Sequence, residues 1–153
     1  LILPSIVKET VECIFAVDTS GSISKEELVE AFSEALGIIR TFTNVKITAM
    51  CCDTQVYNVQ EITSELDLRS YIPHGGGGTD LRPVFHWIRE NKPYSKLLIF
   101  FTDAYATYPE AEEVPNGLRI IWVVSSEGDE TQIPKHLSDC VVKIPSKNRR
   151  MSP

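Results

Sequence analysis

Unbroken apolar runs alternate along the chain with stretches in which apolar residues recur every three or four positions. The run Cys13-Ile14-Phe15-Ala16-Val17, which leads into Asp18, is typical of a strand buried on both faces of a parallel sheet. Ser24 and Glu27 form a capping box, which predicts a helix that runs to about Thr41. Apolar residues lie along one face of that helix: Leu28, Phe32, Ala35, Leu36, Ile39 and Phe42.

The remaining patterns predict further strands at 45–52, 55–62, 96–101, 118–124 and 141–144, with short helices at 64–72 and 131–137. The Asp53-Thr54 pair favours a tight hairpin, so the third strand is expected to be antiparallel and at an edge. The glycines at 75–78 exclude regular structure. Thr79 or Asp80 is then expected to cap a helix that has Pro83 in its first turn.

Strands that alternate with helices predict an α/β fold with three layers, in which helices cover both faces of a six-stranded, mainly parallel sheet. The predicted strand order is 3-2-1-4-5-6. This order reverses beside strand 1, and open α/β sheets bind ligands at such a reversal, at the carboxyl ends of the strands. Residues 1–153 show no repeat or linker and are expected to form one domain.

Composition excludes several classes of function. The net charge of −6 argues against a nucleic-acid partner, and no apolar run approaches the roughly 18–20 residues of a membrane span. Residues 1–4 are too short for a signal peptide and lack a basic leader, so we expect the chain to be the C-terminal part of a longer protein. Cys51 and Cys52 are adjacent. Cys13 lies at the start of one predicted strand and Cys51 at the end of the next, so parallel strands would hold them too far apart for a disulfide. We therefore expect reduced thiols and a cytoplasmic protein.

Hydroxyl and carboxylate side chains collect in three short segments: Asp18-Thr19-Ser20-Gly21-Ser22, Gly77-Gly78-Thr79-Asp80 and Phe101-Thr102-Asp103. The first and third segments end predicted strands, so they are expected at the carboxyl edge of the sheet. Their hard oxygen atoms suit Mg²⁺ or Mn²⁺ better than Zn²⁺ or Cu²⁺. The sequence therefore predicts a divalent-metal site, and the alternative for the two serines is an anion nest in which Gly21 makes the turn.

The three segments, in this order, resemble the metal-ion-dependent adhesion site of von Willebrand factor type A (VWA) domains. The resemblance covers residues 12–144 and implies a Rossmann-like fold with a bound Mg²⁺, Mn²⁺ or Ca²⁺. It implies that Ser20 and Ser22 bind the ion through their hydroxyls, and that Thr79 binds it directly or through water. Asp103 would act through water, and Asp18 would hold the serines and a bound water.

Four residues are expected around this site. Gly78 belongs to the glycine loop, and Asp80 is interpreted first as a helix cap and second as a further ligand. Asp53 is interpreted first as a turn residue. Tyr105 would lie at the rim with Thr107 and Tyr108, where an aromatic side chain could contact a partner. Ala104 follows Asp103 where many VWA domains have glycine, which restricts the backbone beside the ion.

The resemblance implies a non-catalytic module in which the ion accepts a carboxylate from a partner protein. A longer similarity extends to Leu3-Pro4-Ser5, Val17–Ser24, Arg82-Pro83-Val84-Phe85 and Pro109. It is shared with bacterial proteins that join a metallopeptidase-like N-terminal region to a VWA-like domain and are associated with AAA-type ATPases. An AAA-type ATPase is therefore an expected partner, and a regulatory role toward a metallopeptidase-like region is an alternative.

A metal-dependent hydrolase or phosphotransferase is the other alternative. Asp18-Thr19-Ser20-Gly21 is similar to the Asp-Thr-Gly of aspartic proteases and to the nucleophilic aspartate segment of haloacid-dehalogenase phosphatases. Ser20 departs from both, because it stands where the first class needs glycine and the second needs aspartate. The chain has no His-Glu-x-x-His, no Gly-x-Ser-x-Gly and no phosphate-binding lysine after its glycines. We therefore expect that the chain itself is not an enzyme.

Overall fold

The computed structural model describes residues 10–19, 24–42, 44–63, 67, 70–71 and 79–145, in which α-helices, short 3₁₀ turns and a hairpin join the strands of one sheet. The strands are β1 (Thr10–Asp18), β2 (Asn44–Cys52), β3 (Val56–Ile62), β4 (Leu97–Thr102), β5 (Arg119–Val124) and β6 (Val141–Lys143). The helices are α1 (Lys25–Phe42) and α2 (Arg82–Asn91). Short 3₁₀ turns occupy Ala111–Glu113, Glu130–Gln132 and Lys135–Leu137.

The strands form one six-stranded sheet in the order β3-β2-β1-β4-β5-β6. Neighbouring strands are parallel except β2 and β3, which are antiparallel. The predicted order and the predicted antiparallel edge strand are both confirmed. The central strand β1 is buried from Cys13 to Asp18, as its unbroken apolar run indicates.

Alternate residues of β1 point into two separate hydrophobic cores. Phe15 and Val17 pack with Phe32 of α1 on one face of the sheet. Ile14 and Ala16 pack with Phe85 of α2 on the other face. Because side chains alternate along a strand, the position of each residue in β1 determines the core that it enters. The three-layer arrangement is therefore confirmed.

The hairpin between β2 and β3 forms as predicted. The Asp53 carboxylate accepts the backbone N–H groups of Thr54 and Gln55, which is the usual way in which an aspartate stabilises a turn. The pairing of β3 with β2 shifts by one residue between Ala49 and Cys51. Asn58 lies in that irregular stretch with a φ of 53°. The bulge twists this edge strand, which discourages pairing with another chain.

The predicted helix at 131–137 is wrong. Two short 3₁₀ turns, Glu130–Gln132 and Lys135–Leu137, replace it. Pro134 separates them, because proline has no N–H to donate and disfavours helical angles in the residue before it. The predicted helix at 64–72 lies largely outside the described residues, although Asp67 and Ser70 are helical.

The start of α2 also differs from the prediction. Its N-cap is Leu81, with no side-chain cap, rather than Thr79 or Asp80. Asp80 is instead in a β-bridge with Thr107, and this tertiary pairing keeps residue 80 extended and delays the helix. Pro83 lies in the first turn, as expected.

Cys13, Cys51 and Cys52 are buried, Cys140 is exposed, and all four are free thiols. In the described parts of the chain, no helix combines the length and the apolar content that crossing a membrane requires.

The buried side chain of Tyr71 connects the bulged strand β3 to the core through its hydroxyl. Its side chain is 3% exposed, and its hydroxyl donates to the carbonyl of Asn58 at 2.9 Å. The same hydroxyl oxygen lies 3.1 Å from the sulfur of Cys51 in β2. Burial raises the pKa of Tyr71, so the hydroxyl stays protonated and remains a donor.

We predict that Tyr71→Phe lowers the free energy of unfolding by about 1–2 kcal/mol, because it leaves the Asn58 carbonyl without this donor inside the protein. Urea denaturation would measure the change. Tyr94→Phe is the matched control, because Tyr94 is 87% exposed and should unfold as the unaltered chain does. Equal stability of the Tyr71→Phe variant and the control would contradict the prediction.

Candidate functional site

The last residues of β2, β1 and β4 lie side by side at the carboxyl edge of the sheet. Asp18 pairs with Cys52 of β2, and the register of β1 with β4 places Thr102 on its other side. By the alternation along each strand, the three side chains are on the face that α2 covers. The reversal of strand order falls between β1 and β4, so Asp18 and Thr102 meet where such sheets bind ligands.

Asp18 is fully buried, and its Oδ2 accepts a hydrogen bond of 2.6 Å from the Thr102 hydroxyl. The oxygen of that hydroxyl accepts the N–H of Ala104 at 3.0 Å. A buried carboxylate without partners would be costly. The Thr102 hydroxyl therefore fixes the orientation of Asp18 and ties β1 to the loop after β4.

The next residue along β1, Thr19, is fixed from the other side. Its N–H donates to the Cys52 carbonyl at 3.0 Å, and its hydroxyl lies 2.6 Å from the hydroxyl of Tyr57 in β3. Thr19 is therefore held by both β2 and β3. Ser20, Ser22 and Gly78 lie outside the described residues.

Asp103 lies in a backbone that is held on both sides. Its Oδ1 accepts the N–H of Tyr105 at 3.0 Å, and its carbonyl accepts the N–H of Asp129 at 3.0 Å. A Cβ atom on Gly128 would overlap with the backbone of Asp103. Glycine is therefore required at position 128 for the loop after β5 to approach Asp103 this closely.

Ala104 adopts the left-handed conformation that glycine prefers, with a φ of 77°. This conformation costs an alanine about 1 kcal/mol. The surrounding contacts stabilise it, because Thr102 accepts from the Ala104 N–H and the Tyr108 hydroxyl donates to its carbonyl at 2.6 Å. Tertiary hydrogen bonds thus offset the strain of this conformation.

The segment with Thr79 reaches the same edge through backbone hydrogen bonds. The Thr107 N–H donates to the Thr79 carbonyl at 2.9 Å, and the Leu81 N–H donates to the Thr107 carbonyl at 3.0 Å. The Asp80 N–H donates to the Asp53 carbonyl at 2.8 Å. The peptide between Thr79 and Asp80 is therefore bonded both to the β2–β3 hairpin and to the loop that follows Asp103.

The two aspartates predicted around the site have structural partners. Asp53 holds its turn, and the hydrogen bonds from Thr54 and Gln55 lower the pKa of its carboxyl. Asp80 is bonded to Arg82 by both of its carboxylate oxygens, and this contact lowers the pKa of Asp80. The turn interpretation of Asp53 is confirmed. Asp80 is not the N-cap, although its Oδ1 accepts the first helical N–H, that of Arg82, at 3.1 Å.

Two buried groups report a negative potential at this edge. Burial raises the pKa of the Cys52 thiol to about 12, and the charges of Asp18, Asp53 and Asp80 add to the effect. Burial also raises the pKa of Tyr108, with contributions from Asp18 and Asp103. Carboxylates from four segments of the chain therefore act on one region, which favours a cation there.

Among the described residues, Asp18, Thr79 and Asp103 offer hard oxygen atoms of the kind that suit a hard cation. The structure brings Asp18, Thr79 and Asp103 to one edge through the contacts just described. In the described part of the chain, no group of three or more His, Cys, Asp or Glu side chains could hold a metal ion. A metal site at this edge would therefore depend on the hydroxyls of Ser20, Ser22 and Thr79, together with Asp18 and Asp103, and these hard oxygens suit Mg²⁺.

Sequence patterns do not reveal the positioning roles of three residues at this site. Thr102 stands in the sequence as a neighbour of Asp103, and the structure shows that it holds Asp18. Tyr108 fastens Ala104, and Gly128 allows the approach to Asp103. The roles of Tyr108 and Gly128 depend on contacts between loops, which leave no periodic trace in the sequence.

Comparison with known proteins agrees with this fold. The ArnB paralogue VWA2 from Sulfolobus acidocaldarius has a TM-score of 0.63 at 18% identity, covering 92% of this chain and 42% of that chain. BatB from Bacteroides thetaiotaomicron has a TM-score of 0.62 at 13% identity, covering 92% and 93%. Proximal thread matrix protein 1 from the mussel byssus has a TM-score of 0.65 at 15% identity, covering 94% and 43%. The chain thus spans less than half of VWA2 and of the thread matrix protein.

No curated protein matches the sequence. The sequence profile described as "VWA-like domain (DUF2201)" matches residues 13–138, which include β2, β3, β4 and β5 and the larger part of β1. Fold, topology and sequence profile agree, and the chain belongs to the family of VWA-like domains.

Proposed function

We propose that this domain is a divalent-metal-dependent protein-binding module, in which Mg²⁺ at the carboxyl edge of the sheet accepts an acidic side chain of a partner protein. One observation supports the proposal above all. Hydrogen bonds between distant segments hold Asp18, Asp103 and Thr79 at the same edge: Thr102 to Asp18, and Thr107 to Thr79.

The residues that would hold the ion are Ser20, Ser22 and Thr79 through hydroxyls, with Asp103 and Asp18 beside them. When bound, a hard divalent cation would supply a positive charge to which the carboxylate of a partner can bind. Mn²⁺ and Ca²⁺ have the same preference for oxygen and are alternatives. The protein's own contribution is to keep most of the ligands neutral, so that the ion still attracts an anion.

The environment of Asp18 favours binding over phosphotransfer or hydrolysis. A nucleophilic aspartate must reach its substrate, whereas Asp18 is fully buried and bonded to Thr102. Its geometry suits the positioning of neighbouring groups. We therefore propose that the chain itself is not an enzyme, and that an AAA-type ATPase in the cytoplasm is the partner to test first, in line with the similarity to ATPase-associated bacterial proteins.

Tyr105 is the residue best placed to add contact area next to the ion. Its side chain is 53% exposed, and its N–H is bonded to the Asp103 carboxylate. A partner whose acidic residue reached the ion would therefore meet this aromatic ring. Aromatic residues at the centre of an interface often provide a large part of the binding energy.

We predict that Mg²⁺ stabilises the domain and that Asp103→Asn largely removes this effect. At a free Mg²⁺ concentration one hundred times the dissociation constant, the gain is about 2.7 kcal/mol. Thermal melting with Mg²⁺ and with EDTA would measure it. The control is Asp139→Asn, which alters an exposed aspartate next to β6 and should keep the full gain. A melting temperature that does not respond to Mg²⁺ in the unaltered chain would contradict the proposal.

We predict that Thr102→Val destabilises the metal-free domain by about 1–3 kcal/mol, because the buried Asp18 carboxylate loses a donor and the Ala104 N–H loses its acceptor. Denaturation in EDTA would show the change. Thr107→Val alters an exposed threonine of the same loop and should have a much smaller effect. Equal losses in the two variants would count against the role given to Thr102.

We predict that affinity capture from a lysate retains a specific partner in Mg²⁺ and loses it in EDTA. Tyr105→Ala should weaken binding of that partner roughly tenfold, which is about 1.4 kcal/mol. Tyr94→Ala is the matched control, because Tyr94 is exposed and precedes β4 at the opposite edge of the sheet. Retention of the same partner in EDTA would show that the ion is not the bridge.

A further inference from the structure

Asp80 and Arg82 form an ion pair with three contacts. Oδ1 of Asp80 accepts the backbone N–H of Arg82 at 3.1 Å and its Nε at 2.9 Å. Oδ2 accepts Nη2 of Arg82 at 2.8 Å. A guanidinium that binds a carboxylate through two parallel bonds fixes its direction as well as its charge. The Asp80 carboxylate is therefore held toward α2.

The backbone of Asp80 belongs to the proposed metal site, even though its carboxylate turns away. Asp80 follows Thr79 directly, and its N–H is bonded to the Asp53 carbonyl at 2.8 Å. Its carbonyl accepts from the Cys52 thiol at 3.1 Å, and Cys52 is the strand neighbour of Asp18. Asp80 is therefore next in the chain to one proposed ligand, Thr79, and its backbone is bonded to the strand neighbour of another, Asp18.

The charge of the site depends on whether Asp80 is paired. A divalent ion beside Asp18 and Asp103 gives a local sum of zero, and an incoming carboxylate is not repelled. A third aspartate bound to the ion would make that sum −1. This third carboxylate would raise the affinity of the protein for the ion and weaken the attraction of the ion for an acidic partner.

We propose that Arg82 keeps the Asp80 carboxylate from becoming a ligand, and so reserves the last coordination position for the acidic residue of the partner. This inference rests on the proposed function and specifies how the same site selects its ligand. Arg82 is thus a positioning residue that acts through Asp80. The charge of Glu113, which is bonded to His86 at 3.0 Å, also acts on Arg82.

A double-mutant cycle tests the inference, with Mg²⁺ affinity measured by calorimetry on the full chain. Arg82→Gln should bind Mg²⁺ roughly tenfold more tightly, because the Asp80 carboxylate loses both guanidinium bonds, keeps only the backbone N–H bond at 3.1 Å from residue 82, and can turn toward the ion. In an Asp80→Asn background the same substitution should change the affinity by less than about threefold, because only a distant charge is lost. A difference between the two backgrounds would show that Arg82 acts through Asp80, because a general effect of the Arg82 charge would be the same in both.

Three results would overturn the inference. The first is the same factor for Arg82→Gln in both backgrounds, which would mean that the charge of Arg82 acts without Asp80. The second is weaker Mg²⁺ binding by Asp80→Asn alone by tenfold or more, which would mean that Asp80 is already a ligand. In both cases the proposed function would stand. The third is an unaltered chain that binds no Mg²⁺ at millimolar concentration, which would remove the proposed function as well.

Melting in EDTA verifies that each variant folds and gives a readout that needs no ion. Arg82→Lys provides a second variant if Arg82→Gln does not fold, because lysine keeps the charge but cannot form the two parallel bonds. It should tighten Mg²⁺ binding in the same direction and by a smaller factor. An affinity equal to that of the unaltered chain would then contradict the inference.

Discussion

The hydrogen bond between the Thr102 hydroxyl and the buried carboxylate of Asp18 is the interaction on which the site depends. It joins the ends of β1 and β4 at 2.6 Å, at the place where the strand order reverses. A fully buried carboxylate is stable only with partners, so the two strands must end level with each other. The loops that follow them, with Thr19 on one side and Asp103 on the other, are thereby brought to one edge.

The loop after β4 is held by a second layer of contacts that connects it to the rest of that edge. Tyr108 fastens the strained backbone of Ala104, and Thr107 pairs with the segment from Thr79 to Leu81. Each contact joins segments that are far apart in the sequence. The described residues of this edge are therefore held together before any ligand is bound, and such preorganisation lowers the entropic cost of binding.

Local patterns were sufficient to predict the sheet and the edge of the sheet at which the site lies. The apolar run that stops at Asp18 predicted a buried strand with a carboxylate at its end, and the Asp53-Thr54 pair predicted the hairpin. One error has a tertiary cause and the other a local one. Asp80 would be a good cap, but its bridge to Thr107 keeps it extended and moves the helix start to Arg82. Pro134 divides a stretch whose apolar spacing alone suggested a helix.

In the proposed site, hydroxyls and carboxylates from three segments share one hard cation. Crystals grown with Mn²⁺ and measured for its anomalous scattering would locate that cation. We expect one strong peak at the carboxyl edge of β1 and β4, within coordinating distance of the hydroxyls of Ser20, Ser22 and Thr79 and close to Asp103. A peak elsewhere, or no peak at this edge at millimolar Mn²⁺, would contradict it.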